Sequence, residues 1–283
     1  MQIHRRTVLI DGLVTSYLEA GKGDPVVMLH GGEFGASAEL GWERNIAALA
    51  ARHRVLAVDQ LGFGESAKVI DFVEGRGMRI RHVARFCEVL GIESAHFAGN
   101  SMGAINLLAD TTSETPLLPV RSLAIICGGG QIQQNQYFEA LQQYDATLPA
   151  MRLIVEALFY SPGFPADEDY VRRRFESSVA PGAWEAVAAA RFRRPDASGT
   201  FQPSATPSTA RAYERIGVPT LVVEGGGDKL LPAGWAAEIA GQIQGARSVV
   251  VDDAGHCPQI EQAAVVNELL VDFYAVAAEA QNT

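Results

Sequence analysis

Six short, almost unbroken apolar runs punctuate the chain after Pro25: Val26–Leu29, Arg54–Val58, Ala95–Ala98, Ser122–Cys127, Thr220–Val223 and Ser248–Val251. Runs of this length without polar alternation suit parallel strands covered on both faces. Between them, Glu43–Arg52, Arg79–Leu90, Met102–Thr111, Ala233–Gln244 and Ala263–Ala278 carry apolar residues at helical spacing. Strand alternating with helix predicts a parallel sheet packed between helical layers, an α/β architecture. Near the start, Thr7–Ile10 and Val14–Glu19 flank Asp11-Gly12, the signature of an antiparallel hairpin at a sheet edge. The expected sheet is therefore mostly parallel and eight-stranded. A chain of 283 residues with 48% hydrophobic composition suits one large core carrying an insertion better than two independent domains.

The alternation stops between Gly128 and Ser204. Four segments with helical spacing, Tyr137–Leu148, Met151–Phe159, Asp167–Ser178 and Ala183–Phe192, follow one another there without a strand. Residues 128–204 are read as an inserted helical lid, and 1–127 with 205–283 as the core. Arg194–Ser208, rich in Pro, Ser, Thr and Gly, reads as the loop leading back to the sheet.

A net charge of -10 opposes the broad positive potential that nucleic acids or anionic membranes require, leaving a small molecule as the expected partner. No apolar run approaches the roughly 20 residues that span a bilayer. Arg5-Arg6 suggests an export signal, but Asp11 interrupts the apolar run behind it and no small-residue cleavage site follows. The three cysteines, Cys87, Cys127 and Cys257, lack CxxC spacing and fit a reducing cytoplasm. Two-fold dimers being the commonest assembly, a homodimer is allowed for.

Within this frame, Ala95-His96-Phe97-Ala98 runs into Gly99-Asn100-Ser101-Met102-Gly103 and then into a helical segment. A strand, a G-x-S-x-G turn and a helix together hold the serine hydroxyl above the sheet in strained backbone geometry. The Met102 backbone N–H, at the helix start, faces the place where negative charge develops on a substrate oxygen. The simpler reading of the same residues is a serine that caps the helix.

The loop after the first buried strand, His30-Gly31-Gly32-Glu33-Phe34-Gly35, brings backbone N–H groups to the same edge, so Gly32 or Glu33 is expected to supply the second oxyanion donor. His30 is read as packing beneath that loop. Of six histidines, His256 follows the last strand on a loop at the sheet's carboxyl edge, where α/β proteins bind ligands. Asp228 lies on the loop after the preceding strand and can accept the imidazole N–H. The chain order Ser101, Asp228, His256 is that of α/β-hydrolases. Asp59, in a glycine-rich turn, is read as structural.

In these segments the chain resembles the α/β-hydrolase superfamily and, more narrowly, the meta-cleavage-product hydrolases of aromatic degradation, including the carbazole branch. Three segments carry the resemblance: His30–Glu39, Asp59–Lys68 and Gly99–Gly103. It implies carbon–carbon bond hydrolysis of a 2-hydroxy-6-oxo-dienoate by a serine nucleophile, with no metal or organic cofactor. It also implies that Gly31, Asn100 and Arg174 hold the dienoate's carboxylate and 2-oxo group. Family members carry tryptophan directly after the histidine where this chain has Cys257, so the pocket wall differs there. They also carry asparagine where Gly41 precedes Trp42, and Gly-Gly where Gly103-Ala104 stands. Cys257 is read as lining the pocket, not as a nucleophile. A carboxylesterase or lactonase on the same scaffold remains the alternative.

Overall fold

The computed structural model describes residues 2–72, 74–189 and 211–279. Its strands are β1 (His4–Ile10), β2 (Leu13–Ala20), β3 (Pro25–Leu29), β4 (Arg54–Val58), β5 (Ala95–Asn100), β6 (Val120–Ile126), β7 (Thr220–Gly225) and β8 (Arg247–Val251). They form one eight-stranded sheet in the order β1-β2-β4-β3-β5-β6-β7-β8. The β1–β2 and β2–β4 pairs are antiparallel and all others parallel. This is the α/β-hydrolase fold.

The order has a consequence for function. The chain steps from β3 outward to β4, then crosses back to place β5 on the other side of β3. Loops leaving the carboxyl ends of β3 and β5 thus diverge at a topological switch point and leave a crevice between them. The glycine loop after β3 and the G-x-S-x-G turn after β5 border that crevice.

The central strands behave as their composition dictates, with β5 and β7 buried along their whole length. The last run does not, because β8 is an edge strand whose Val250 is 54% exposed. The expectation of burial on both faces fails there for want of an outer neighbour. The helices Gly75–Val89, Met102–Thr111, Trp235–Ala240 and Ala263–Glu279 cover the sheet. The helix expected over Glu43–Arg52 is instead two short ones, Ala38–Trp42 and Ile46–Leu49. The first begins early because Ser37 caps it, its hydroxyl accepting from the Leu40 N–H. At the break, Asn45 donates to the Gln259 carbonyl and the Asn267 side chain.

After β6 come Gln136–Gln142, Leu148–Leu158, Gly163–Ala166, Glu168–Ser178 and Ala183–Ala189, helices in succession with no strand among the described residues. Asn135, Thr147 and Asp167 cap three of them through side-chain oxygens. They share an apolar cluster separate from the sheet's core, including Met151, Ile154, Val155, Phe159, Tyr170 and Val171. Phe34, from the loop after β3, and Cys257, next to His256, belong to that second cluster. The return loop read at Arg194–Ser208 and the boundary at residue 204 lie outside the described residues.

Candidate active site

Ser101 sits between β5 and the helix Met102–Thr111 with φ 51° and ψ -115°, a conformation disfavoured for a residue with a Cβ. The turn closes only because its neighbours are small: a Cβ on Gly103 would lie 2.3 Å from the Leu29 carbonyl oxygen, and one on Gly99 would lie 2.5 Å from the Ala104 nitrogen. The hydroxyl makes no capping bond to the helix behind it, so the simpler reading does not describe this serine. Ser101 Oγ lies 2.9 Å from His256 Nε2 instead.

His256 Nδ1 lies 2.8 Å from Asp228 Oδ2, and the other Asp228 oxygen accepts the N–H groups of Leu230 and Leu231. The acceptor Asp228 requires the proton on Nδ1, which leaves Nε2 free to accept from the serine hydroxyl. Burial disfavours the imidazolium, but the Asp228 carboxylate outweighs it and His256 is raised above its ordinary value. Burial likewise pushes Asp228 up, and the histidine with the two backbone N–H donors pulls it below the usual carboxylate range.

The glycine loop reaches this chain of bonds through Gly32, where a Cβ would come within 2.6 Å of the Met102 sulfur. Gly32 and Glu33 are thereby held beside the start of the elbow helix. Beneath the loop, His30 Nε2 accepts from the Gln60 N–H, so its Nδ1 carries the proton and donates to the Gly31 carbonyl. This is the packing role read for His30. Asp59 is fully buried and accepts from the Ala38 and Glu65 N–H groups, tying its turn to the segment after β3.

Gly31, Glu33, Asn100, Arg174 and Cys257 come together around one cavity of about 10 Å³, room for about one water molecule. Arg174 is 1% exposed, so its side chain does not lie on a solvated face of its helix. Its immediate partner is a carboxylate of the protein: Arg174 Nη2 donates to Glu33 Oε1 at 2.7 Å, and Nη1 approaches the Tyr170 hydroxyl at 3.3 Å. Burial alone would raise Glu33, but the Arg174 charge and hydrogen bond, with help from its own backbone N–H, hold it below the ordinary range.

Asn100 also departs from expectation. Its amide nitrogen donates to the main-chain carbonyls of Ile126 and His256, at 3.3 and 2.9 Å. Both hydrogens are spent on fixing the elbow to the histidine loop. The Asn100 oxygen, 3.8 Å from the Cys257 sulfur, is what remains toward the cavity. Cys257 is buried with its thiol pushed well up, the state of a lining group and not of a thiolate nucleophile.

The helices after β6 are fastened directly to the loops that carry Asp228 and His256. His256 N–H donates to the Leu158 carbonyl, Lys229 donates to the Glu156 and Phe159 carbonyls, and Glu261 accepts from Tyr160 and Ser161 N–H groups. Two neighbours escaped the sequence reading: the Glu33 side chain, considered there only for its backbone, and Cys127, beside Asp228 at φ +44°. Glu33 lies in the glycine loop already noted, but nothing in the loop pattern says where its side chain turns, and Cys127 belongs to no motif. Among the described residues, Cys127, Asp228 and His256 are the group whose donor atoms lie close enough to surround a metal ion. They suit one poorly, because burial keeps the Cys127 thiol protonated and a metal would break the bond that orients His256.

Residues 26–269 match the model of the alpha/beta hydrolase family. A curated relative, 2-hydroxy-6-oxo-6-(2'-aminophenyl)hexa-2,4-dienoic acid hydrolase of Metapseudomonas resinovorans, is 32% identical over 259 residues, 90% of this chain and 86% of its own length. Among solved structures, a serine hydrolase involved in carbazole degradation superposes with a TM-score of 0.80 at 29% identity, covering 97% of this chain and 100% of that one. A meta-cleavage product hydrolase from Pseudomonas fluorescens gives 0.83 at 25% identity, covering 96% and 98%. The chain belongs to the alpha/beta hydrolase family, and within it resembles the serine hydrolases that act on meta-cleavage products.

Proposed function

We propose that the protein hydrolyses a carbon–carbon bond in a 2-hydroxy-6-oxo-dienoate-type meta-cleavage product, using Ser101 as nucleophile, His256 as proton carrier and Asp228 as its orienting acid. The observation that carries the proposal is the unbroken hydrogen-bond chain Ser101 Oγ, His256, Asp228 at 2.9 and 2.8 Å. The names of the relatives supply the substrate class.

In this reading the dienol first becomes the keto form, which places an electron sink conjugated to the scissile bond. Ser101 then attacks the 6-carbonyl as its proton passes to His256 Nε2. The N–H groups of Met102 and of Gly32 or Glu33 receive the negative oxygen. The C5–C6 bond breaks, its electron pair flows through the conjugated system onto the 2-oxygen, and the proton that His256 took from Ser101 passes to that oxygen, releasing the 2-hydroxydienoate and freeing the imidazole. Water, deprotonated by His256, cleaves the acyl-serine to the carboxylic acid and restores Ser101. No metal or organic cofactor enters these steps.

Residues 128–204 act as the lid that shapes the distal substrate group, and 1–127 with 205–283 as the catalytic core. The partner is a small molecule, with nucleic acid and membrane surfaces disfavoured by the net charge of -10; no helix among the described residues is long and apolar enough to cross a membrane. Three buried, unpaired cysteines support a cytoplasmic setting. A homodimer is tested by light scattering.

Ester or lactone hydrolysis is the second reading. It is favoured by the Glu33–Arg174 pair, since an uncharged ester needs no free cation. Purified protein is mixed with a yellow dienoate and, separately, with p-nitrophenyl acetate. Rapid bleaching with slow ester turnover supports carbon–carbon cleavage, and the reverse outcome selects the second reading.

A further inference from the structure

We infer that Glu33 is an internal competitor for Arg174 and sets the charge that the active site accepts at this end of the substrate. The inference rests on the proposed function insofar as the competing group is a substrate carboxylate. A built site is on view. Both side chains are shielded, at 7% and 1% exposure, and they meet at 2.7 Å. The carboxylate folds back over its own loop into space that Gly31 leaves open, because a Cβ there would lie 2.3 Å from Glu33 Oε2. The Arg174 Nε is buried without a hydrogen-bond partner, so the guanidinium keeps one donor in hand.

The charges decide the consequence. Arg174 supplies the one guanidinium or ammonium among the residues lining the cavity, and the Asn100 hydrogens are taken by main-chain carbonyls. An incoming carboxylate would meet one cation already shared with Glu33, and the surplus negative charge would lack both water and partner. It therefore has to expel Glu33 from the cation. An uncharged acceptor, such as an ester or amide carbonyl, can take the spare Nε–H without doing so. A carboxylate thus meets an opposition that an uncharged group does not, and it is admitted only by displacing Glu33 from Arg174.

Glu33→Gly removes the equivalent of one propionate from the cavity, which names the probe. Calorimetric titration with propionate and propionamide is carried out on the wild type, Glu33→Gly and the double variant Glu33→Gly/Arg174→Gln. The double variant removes both charges together, so no unpaired ion is left to unfold it. Propionate should bind Glu33→Gly at least about tenfold more tightly than wild type, the scale of one charge-assisted hydrogen bond. Propionamide, which fits the same vacated space without the charge, should gain at least about tenfold less than propionate, and the double variant should lose that difference. Equal propionate affinity in wild type and Glu33→Gly, or no propionate binding to either, overturns the inference.

With turnover, the ratio of kcat/KM for the acid dienoate to that for its methyl ester should rise about tenfold in Glu33→Gly. A purely structural Glu33 would depress both substrates alike and leave the ratio unmoved. Failure of the carbon–carbon reading is seen separately, as absence of dienoate bleaching in every variant, and it leaves the propionate result standing.

Discussion

Asp228→Asn probes the hydrogen-bond chain at the member furthest from the substrate. In the proposed reaction His256 becomes an imidazolium while 5% exposed, and the Asp228 oxygen 2.8 Å from Nδ1 is its compensating charge. Taking the charge centres as about 4 Å apart at an effective dielectric of about 20, the attraction is about 4 kcal/mol. Losing it slows the reaction about a thousandfold. The amide also presents an NH₂ group to Nδ1, which favours the tautomer with the proton on Nε2, where Ser101 needs an acceptor; together the loss should reach about 10³ to 10⁴. The pH profile carries an independent sign. His256 acts as the neutral base, and Asp228 raises it above 6.5, so wild-type activity is present above that raised value and lost as pH falls through it. Without the carboxylate, burial is less opposed and the acid limb should move to lower pH even as the plateau falls. Initial rates of dienoate bleaching across pH, with a melting curve to show that the variant is folded, test both parts. A loss below tenfold, or an acid limb that stays in place, would refute the role given to Asp228.

Ser101→Ala should reduce turnover by about 10⁵-fold or more with the fold intact, measured by single-turnover bleaching. Gly103→Ala should destabilise the protein by about 3 kcal/mol or more, since its Cβ would press on the Leu29 carbonyl oxygen at 2.3 Å; an unchanged urea midpoint would show that the elbow can relax. Iodoacetamide at pH 8 should leave the native thiols nearly untouched and label all three in denaturant, because burial raises Cys87 to about 12 and Cys127 and Cys257 well above the ordinary thiol range. Mass spectrometry counts the labels, and fast native labelling at Cys257 would reopen it as a nucleophile.

The sequence by itself determined the features that depend on neighbours along the chain. Short apolar runs can satisfy their backbone groups only in a shared sheet, so the eight strands were legible, and the helix Met102–Thr111 was read to its ends because the glycine turn sets its start. Ser101, Asp228 and His256 were legible as candidates because each follows a different strand, and parallel strands deliver their following loops to one edge. Tertiary structure alone decided what the side chains of distant segments do to one another. Glu33 and Arg174 are 141 residues apart, and their pairing depends on how the helix Glu168–Ser178 lies over the loop after β3. The Asn100 amide and the Cys127 thiol likewise take their roles from the loops that close around them. Periodicity reports which face of an element is buried but not which polar atoms meet there. The candidate nucleophile could therefore be picked out from the chain, while the charge balance of the cavity beside it arises only on folding.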